Sequence, residues 1–135
     1  MPLKGGIVKL LIICLIILLI VFLSYLLYLK LTYIHKEITN GEAYGFSIGD
    51  SKELAYQKAK QAFQGKIIFI DYPIFMEDVG DLTLITFSDK EYAYLKDRKN
   101  WRFYYNKTRL DILVLIFSNN KLTSIVRHRQ KIELP

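Results

Sequence analysis

Only one cysteine, Cys14, occurs in the 135 residues, and it lies inside an apolar run. No intramolecular disulfide can form, so the fold must rest on burial and hydrogen bonding. Histidine is nearly as scarce, with His35 and His128 the only two. Two imidazoles and one apolar-embedded thiol do not give the ligand spacing of a zinc site, and both histidines read as surface residues. A nucleophilic hydrolase would need an activated Ser or Cys beside a base, and no Gly-x-Ser-x-Gly elbow occurs. Gly45, Gly49 and Gly65 fall in turn and cap contexts, so no phosphate-binding or dinucleotide loop is expected. Glu77, Asp78 and Asp81 read as a solvated acidic loop. The sequence therefore predicts no enzyme, no cofactor, no metal and no small-molecule substrate. Internal repeats are lacking too, and the apolar run is the one low-complexity segment.

That run lacks charge altogether. Leu10 to Leu29 is twenty residues long, and all but Cys14, Ser24, Tyr25 and Tyr28 are Leu, Ile, Val or Phe. As a helix it would span about 30 Å, the thickness of a bilayer's hydrocarbon core. The sixteen aliphatic and Phe residues favour insertion by on the order of 6 kcal/mol. A buried helix of a soluble fold would need a polar face, and this stretch has none at any period. No small-x-small cleavage pattern follows it, and Ile12 and Ile13 stand where a lipidation signal at Cys14 would want small residues. An uncleaved signal anchor is expected. Lys4, Lys9 and the α-amine precede the run, while Lys30 and Lys36 follow it. The short tail is expected inside and the domain translocated, giving a single-pass protein of the inner (cytoplasmic) membrane with a periplasmic domain.

The expected division is a tail over 1–9, a transmembrane helix over 10–29, a linker over 30–45 and an α+β binding domain over 46–135. The linker is predicted to continue the helix for a turn or two until Asn40-Gly41 breaks it. Asp50 or Ser51 can cap a helix over 51–63, and Glu53 offers a capping box with Asp50. Lys66 to Tyr72 and Leu82 to Phe87 are β-branched and aromatic runs that read as strands. Between them, Ile74 to Asp81 reads as the acidic loop. Ser88 with Glu91 can cap a short helix, although a loop over 88–100 fits as well. Trp101 to Tyr105 alternates as a half-buried strand. Leu110 to Ser118 is apolar at every other position on both faces, which predicts a central strand covered on both sides. Asn119-Asn120 suits a two-residue hairpin turn, because Asn tolerates positive φ. Lys121 to Arg129 returns with Leu122, Ile125 and Val126 as anchors, and KIELP reads as a tail on the sheet edge. The expected fold is α+β, with one or two helices on an antiparallel sheet of four to five strands.

Charge is unevenly placed. Glu37 to Asp89 holds four basic and nine acidic residues, whereas Lys90 to Pro135 holds eleven basic and four acidic. The basic half also carries Trp101, Tyr104 and Tyr105, and aromatic–Arg groupings are enriched at protein interfaces. Such a surface would speed capture of an acidic partner. With Trp101, Phe103 and Val126 facing the core, Arg102, Tyr104, Arg127 and Arg129 would face outward as partner-binding residues. A tethered, exported domain argues against nucleic acid. The expected partners are a protein and, through residues 10–29, the lipid bilayer.

The segment FSIGDSKELAYQKAKQAF, followed by a basic-aromatic meander, resembles the small α+β domain of the SmpA/OmlA outer-membrane assembly lipoproteins and the β-lactamase-inhibitor-like fold. Gly49, Ser51, Lys52 and Glu53 resemble their Gly-x-Ser/Thr-Lys-x-Glu start, with Glu53 directly after Lys52, one position earlier than in that pattern. The lipobox of those lipoproteins is missing, as is the Pro after their helical pair. The order of anchor, GEAYGFSIGDSKE, WRFYY and RHRQKIELP also looks like small immunity proteins of bacterial toxin systems. These resemblances imply a membrane-anchored immunity protein that neutralises a toxin in the periplasm, or else a structural component of envelope assembly or envelope stress.

Overall fold

The computed structural model describes residues 3–72, 81–108 and 110–131 and divides the chain into two units between Tyr33 and Ile34. The first unit is helix α1, Leu3–Thr32. Its most apolar window has a mean hydropathy of 3.3, so it is long and apolar enough to span a membrane or serve as a signal anchor. Thirty residues make about 45 Å of helix, more than the hydrocarbon core alone requires. The helix therefore takes in most of the expected tail as well as Lys30. At its C-terminal end the Thr32 hydroxyl donates to the Tyr28 carbonyl at 2.9 Å.

The second unit is the expected α+β domain. In chain order it comprises β1 (Ile34–Ile38), β2 (Glu42–Ala43), β3 (Phe46–Ser47), α2 (Lys52–Ala62), β4 (Phe69–Tyr72), β5 (Asp81–Leu84), α3 (Asp89–Leu95), β6 (Asn100–Tyr104), β7 (Asp111–Ser118) and β8 (Lys121–Arg129). Six strands form one sheet in the order β1-β8-β7-β6-β4-β5, and every neighbouring pair is antiparallel. The strand beyond the expected four or five comes from the segment read as a linker. Helix α1 stops at Thr32, and Ile34 to Ile38 then pairs with β8 from Arg129 back to Ile125. IHKEI is mostly polar because an edge strand with charged side chains leaves less of an invitation to stray pairing.

Local chemistry fixes the helices. The Ser51 hydroxyl accepts from the Leu54 N–H at 3.2 Å and caps α2. Asp50 does not form the expected box with Glu53. Its carboxylate instead takes the Ser47 N–H at 2.9 Å and the Lys58 ammonium at 2.8 Å, closing the β3–α2 connection. The capping box belongs to α3, which settles residues 88–100 as a helix over 89–95 followed by β6. The Glu91 carboxylate accepts the Thr86 and Ser88 N–H groups and both hydroxyls, at 2.8–2.9 Å. Burial raises the Glu91 pKa, but these four hydrogen bonds outweigh it and hold the carboxyl below its ordinary value. The Tyr56 hydroxyl donates to the Ser88 carbonyl at 2.9 Å and joins α2 to this cap. Burial, with help from Glu91 and Asp89, pushes that phenol up to about 12.

Both helices pack on one side of the sheet. Ala55, Tyr56, Ala59, Phe63 and Leu95 cover Trp101, Phe103, Leu113, Leu115, Phe117, Leu122 and Ile125, all buried. The indole N–H of Trp101 donates to the Leu95 carbonyl at 2.7 Å, which satisfies the one polar atom of the largest core side chain. Hairpin β2–β3 turns through Tyr44 and Gly45 at φ 54° and 89° and places the fully buried Phe46 in the same core. Asn119 and Asn120 turn β7 into β8 at φ 50° and 63°, as read from the sequence.

Strand β7 departs from expectation. Leu113, Leu115 and Phe117 are buried, but Ile112, Val114 and Ile116 on its other face are only half-buried. The acidic loop over 74–80 and the closing residues 132–135 lie outside the described residues.

Replacing Glu91 by Ala should cost about 2–3 kcal/mol at neutral pH, because the side-chain half of the capping box is lost and two N–H groups lose their acceptor, while the Ser88 cap itself stays. A carboxyl held low in the fold stabilises above its unfolded pKa and stops doing so as pH falls through the folded value. The gap in denaturant stability between wild type and Glu91→Gln should therefore be widest near pH 7 and close in acid.

Candidate functional site

The register assigns every sheet residue to a face. A β-bulge lies where pairing shifts from Ile116↔Ser124 to Phe117↔Leu122, leaving Thr123 unmatched. Leu122 and Ile125, three apart, thus share the helix-covered face, and the odd-numbered residues beyond Ile125 follow them there. Val126 pairs with Val114 and turns to the other side. This reverses the expectation that Val126 faces the core and Arg127 and Arg129 face outward.

Arg127 therefore stands opposite Leu113 at the rim of the core. Only 12% of its side chain is exposed, and its guanidinium meets the Asp111 carboxylate at 2.6 Å. The same cation lies 4.1 Å from the centre of the Tyr105 ring and 5.8 Å from that of Tyr44. Burial raises the Tyr105 phenol above its ordinary pKa, and Arg127 beside it offsets part of the rise. Arg127 packs as a structural arginine. Arg129, opposite Asp111 and Ile34, is half-buried on the same face.

The other two expected residues, Arg102 and Tyr104, lie together on the opposite face. One row crosses all six strands there: His35, His128, Ile112, Tyr104, Phe69 and Leu84. The next row holds Glu37, Val126, Val114 and Arg102, and a third holds Ser124, Ile116 and Asn100. Neither α2 nor α3, the described helices of this unit, packs on this face. Ile112, Val114, Ile116, Val126 and Phe69 are half-buried, and Leu84 is 51% exposed. An antiparallel sheet with a solvated face usually alternates to polar residues there, whereas β7 offers three aliphatic ones.

Arg102 sits in the middle of this surface beside Val114, with 48% of its side chain exposed and Asp71 at 3.6 Å. Asp71 also accepts the Tyr104 hydroxyl at 2.8 Å, so Tyr104 is only 5% exposed and acts more as floor than as contact. The exposed Lys107 follows β6, and its ammonium stands 5.6 Å from the centre of the Phe69 ring. The surface is an aliphatic strip on β7 and β8 with Arg102 along its β6 side and Lys107 beyond Phe69. It has the composition of an interface core. No grouping of three or more His, Cys, Asp or Glu able to hold a metal occurs among the described residues.

Sequence reasoning missed the aliphatic part of this surface. Ile112, Val114 and Ile116 look as core-like as Leu113, Leu115 and Phe117, and only the helices' side decides between the two sets. Comparison with protein-family models, curated proteins and solved structures gives no match.

The two arginines should separate cleanly in denaturant unfolding of the full chain in detergent. Arg127→Ala strands Asp111 and removes the ring contact, and should cost about 2–3 kcal/mol. Arg102→Ala breaks only an exposed, long ion pair and should cost less than about 0.5 kcal/mol.

Proposed function

We propose that this protein is a membrane-tethered binding domain that captures an acidic protein partner on the uncovered sheet face. In its most concrete form it is an immunity protein that neutralises a toxin acting at the bacterial inner membrane, with the domain in the periplasm. The observation that carries the reading is the aliphatic strip of Ile112, Val114, Ile116 and Val126 on β7 and β8 with Arg102 beside Val114 at its edge. Burying the partly exposed aliphatic side chains supplies affinity, and an arginine bordering them is a common energetic hot spot. The surplus of eleven basic over four acidic residues from Lys90 onward gives the domain as a whole a long-range pull on a partner of opposite sign, while on the open face itself Arg102 is the guanidinium that would meet it, Arg127 and Arg129 lying on the other side. An apolar anchor confines the search to one membrane face and raises the effective concentration toward anything acting there. The reading assigns no catalytic step.

The test is protection. Each gene product encoded next to this chain is exported to the periplasm of cells with and without it. One product should kill only cells that lack the chain, and Arg102→Glu should weaken rescue by about tenfold or more while Arg102→Lys keeps most of it. Equal survival with and without the chain for every product would overturn the immunity reading. Envelope defects on deletion with no toxin present would favour the structural envelope role instead.

A further inference from the structure

We propose that His35 and His128 form a binding site for a single tetrahedral divalent ion of the zinc class. The two residues are 93 positions apart in the sequence and become direct cross-strand neighbours when β1 pairs with β8. Both side chains stand on the uncovered sheet face, and His35 is exposed. Their Nδ1 atoms face each other at 3.3 Å, and the rings meet at 74° with centroids 5.5 Å apart.

The distance fits a tetrahedral ion. Two imidazole nitrogens bound to one tetrahedral centre at about 2.0–2.1 Å stand about 3.3 Å apart, whereas a square-planar centre would draw them to about 2.9 Å. Neutral imidazole is the preferred nitrogen ligand of zinc, through either Nδ1 or Nε2. The same gap also admits an N–H to N hydrogen bond between the rings in one tautomer, so one proton or one cation can occupy it, and a metal would take the proton's place.

The neighbours fit an open site. Ile112 is next in the row and offers no competing charge. Glu37 shares the face two residues along β1, but its carboxylate takes the Ser124 hydroxyl at 2.8 Å. No third ligand is grouped with the pair among the described residues, so water fills the remaining positions. Bound metal would pin β1 to β8. That edge strand begins two residues after Thr32, so the ion would staple the part of the sheet nearest in sequence to α1.

Zinc chloride titrated into the full, tag-free chain in detergent micelles, stripped beforehand with chelator, tests this by calorimetry. One ion per chain should bind with a dissociation constant on the order of 1–100 µM. His35→Ala and His128→Ala should each weaken it at least about tenfold, because each removes one of two ligands. Nitrogen-15 spectra of wild type should show both imidazoles shifting together in one saturable step, a readout independent of how the variants fold. No binding, binding untouched by either substitution, or a shift of one ring or neither would overturn the site.

Discussion

Two helices of eleven and seven residues have about 16 Å and 10 Å of length with which to cover a sheet six strands wide. Six strands span about 24 Å from edge to edge. Helices α2 and α3, with the β2–β3 hairpin, suffice for one face. They seal it around Trp101, whose indole N–H would otherwise be an unsatisfied donor in the middle of the core. Among the described residues of this unit, no further helix is left for the second face. That arithmetic, more than any single contact, makes the domain two-sided and gives the second side its distinct character.

The division runs through individual strands. Along β8, Ile125 and Arg127 belong to the sealed side, while Val126 and His128 belong to the open one. Arg127 is tied down by Asp111 and the Tyr105 ring and serves the fold. Arg102, one strand beyond β7, keeps about half its surface in water. Two arginines that look alike in the sequence thus have opposite uses, one closing the core and one presented to whatever approaches.

Much of this was legible beforehand. Ser51 and the 3.6-residue spacing from Leu54 to Phe63 announce α2, Asn119-Asn120 announces the last hairpin, and the uncharged run announces the apolar helix. What could not be read depends on tertiary choices. The bulge at Thr123 shifts one residue and reverses the facing of everything after it, yet no local pattern marks its position. β7 is aliphatic on both faces, so hydropathy alone implies burial on both. IHKEI reads as linker because an edge strand needs little apolar content. The apposition of His35 and His128 requires β1 to pair with a strand ninety residues away, and nothing in either neighbourhood signals it.

The proposed partner would meet the open face and not the helix side. Methyl cross-saturation from that protein in complex with the full chain reads this directly. Saturation is expected at Ile112, Val114, Ile116, Val126 and Leu84, with Leu54 on the exposed side of α2 silent. Saturation at Leu54 with the β7 methyls silent would contradict it.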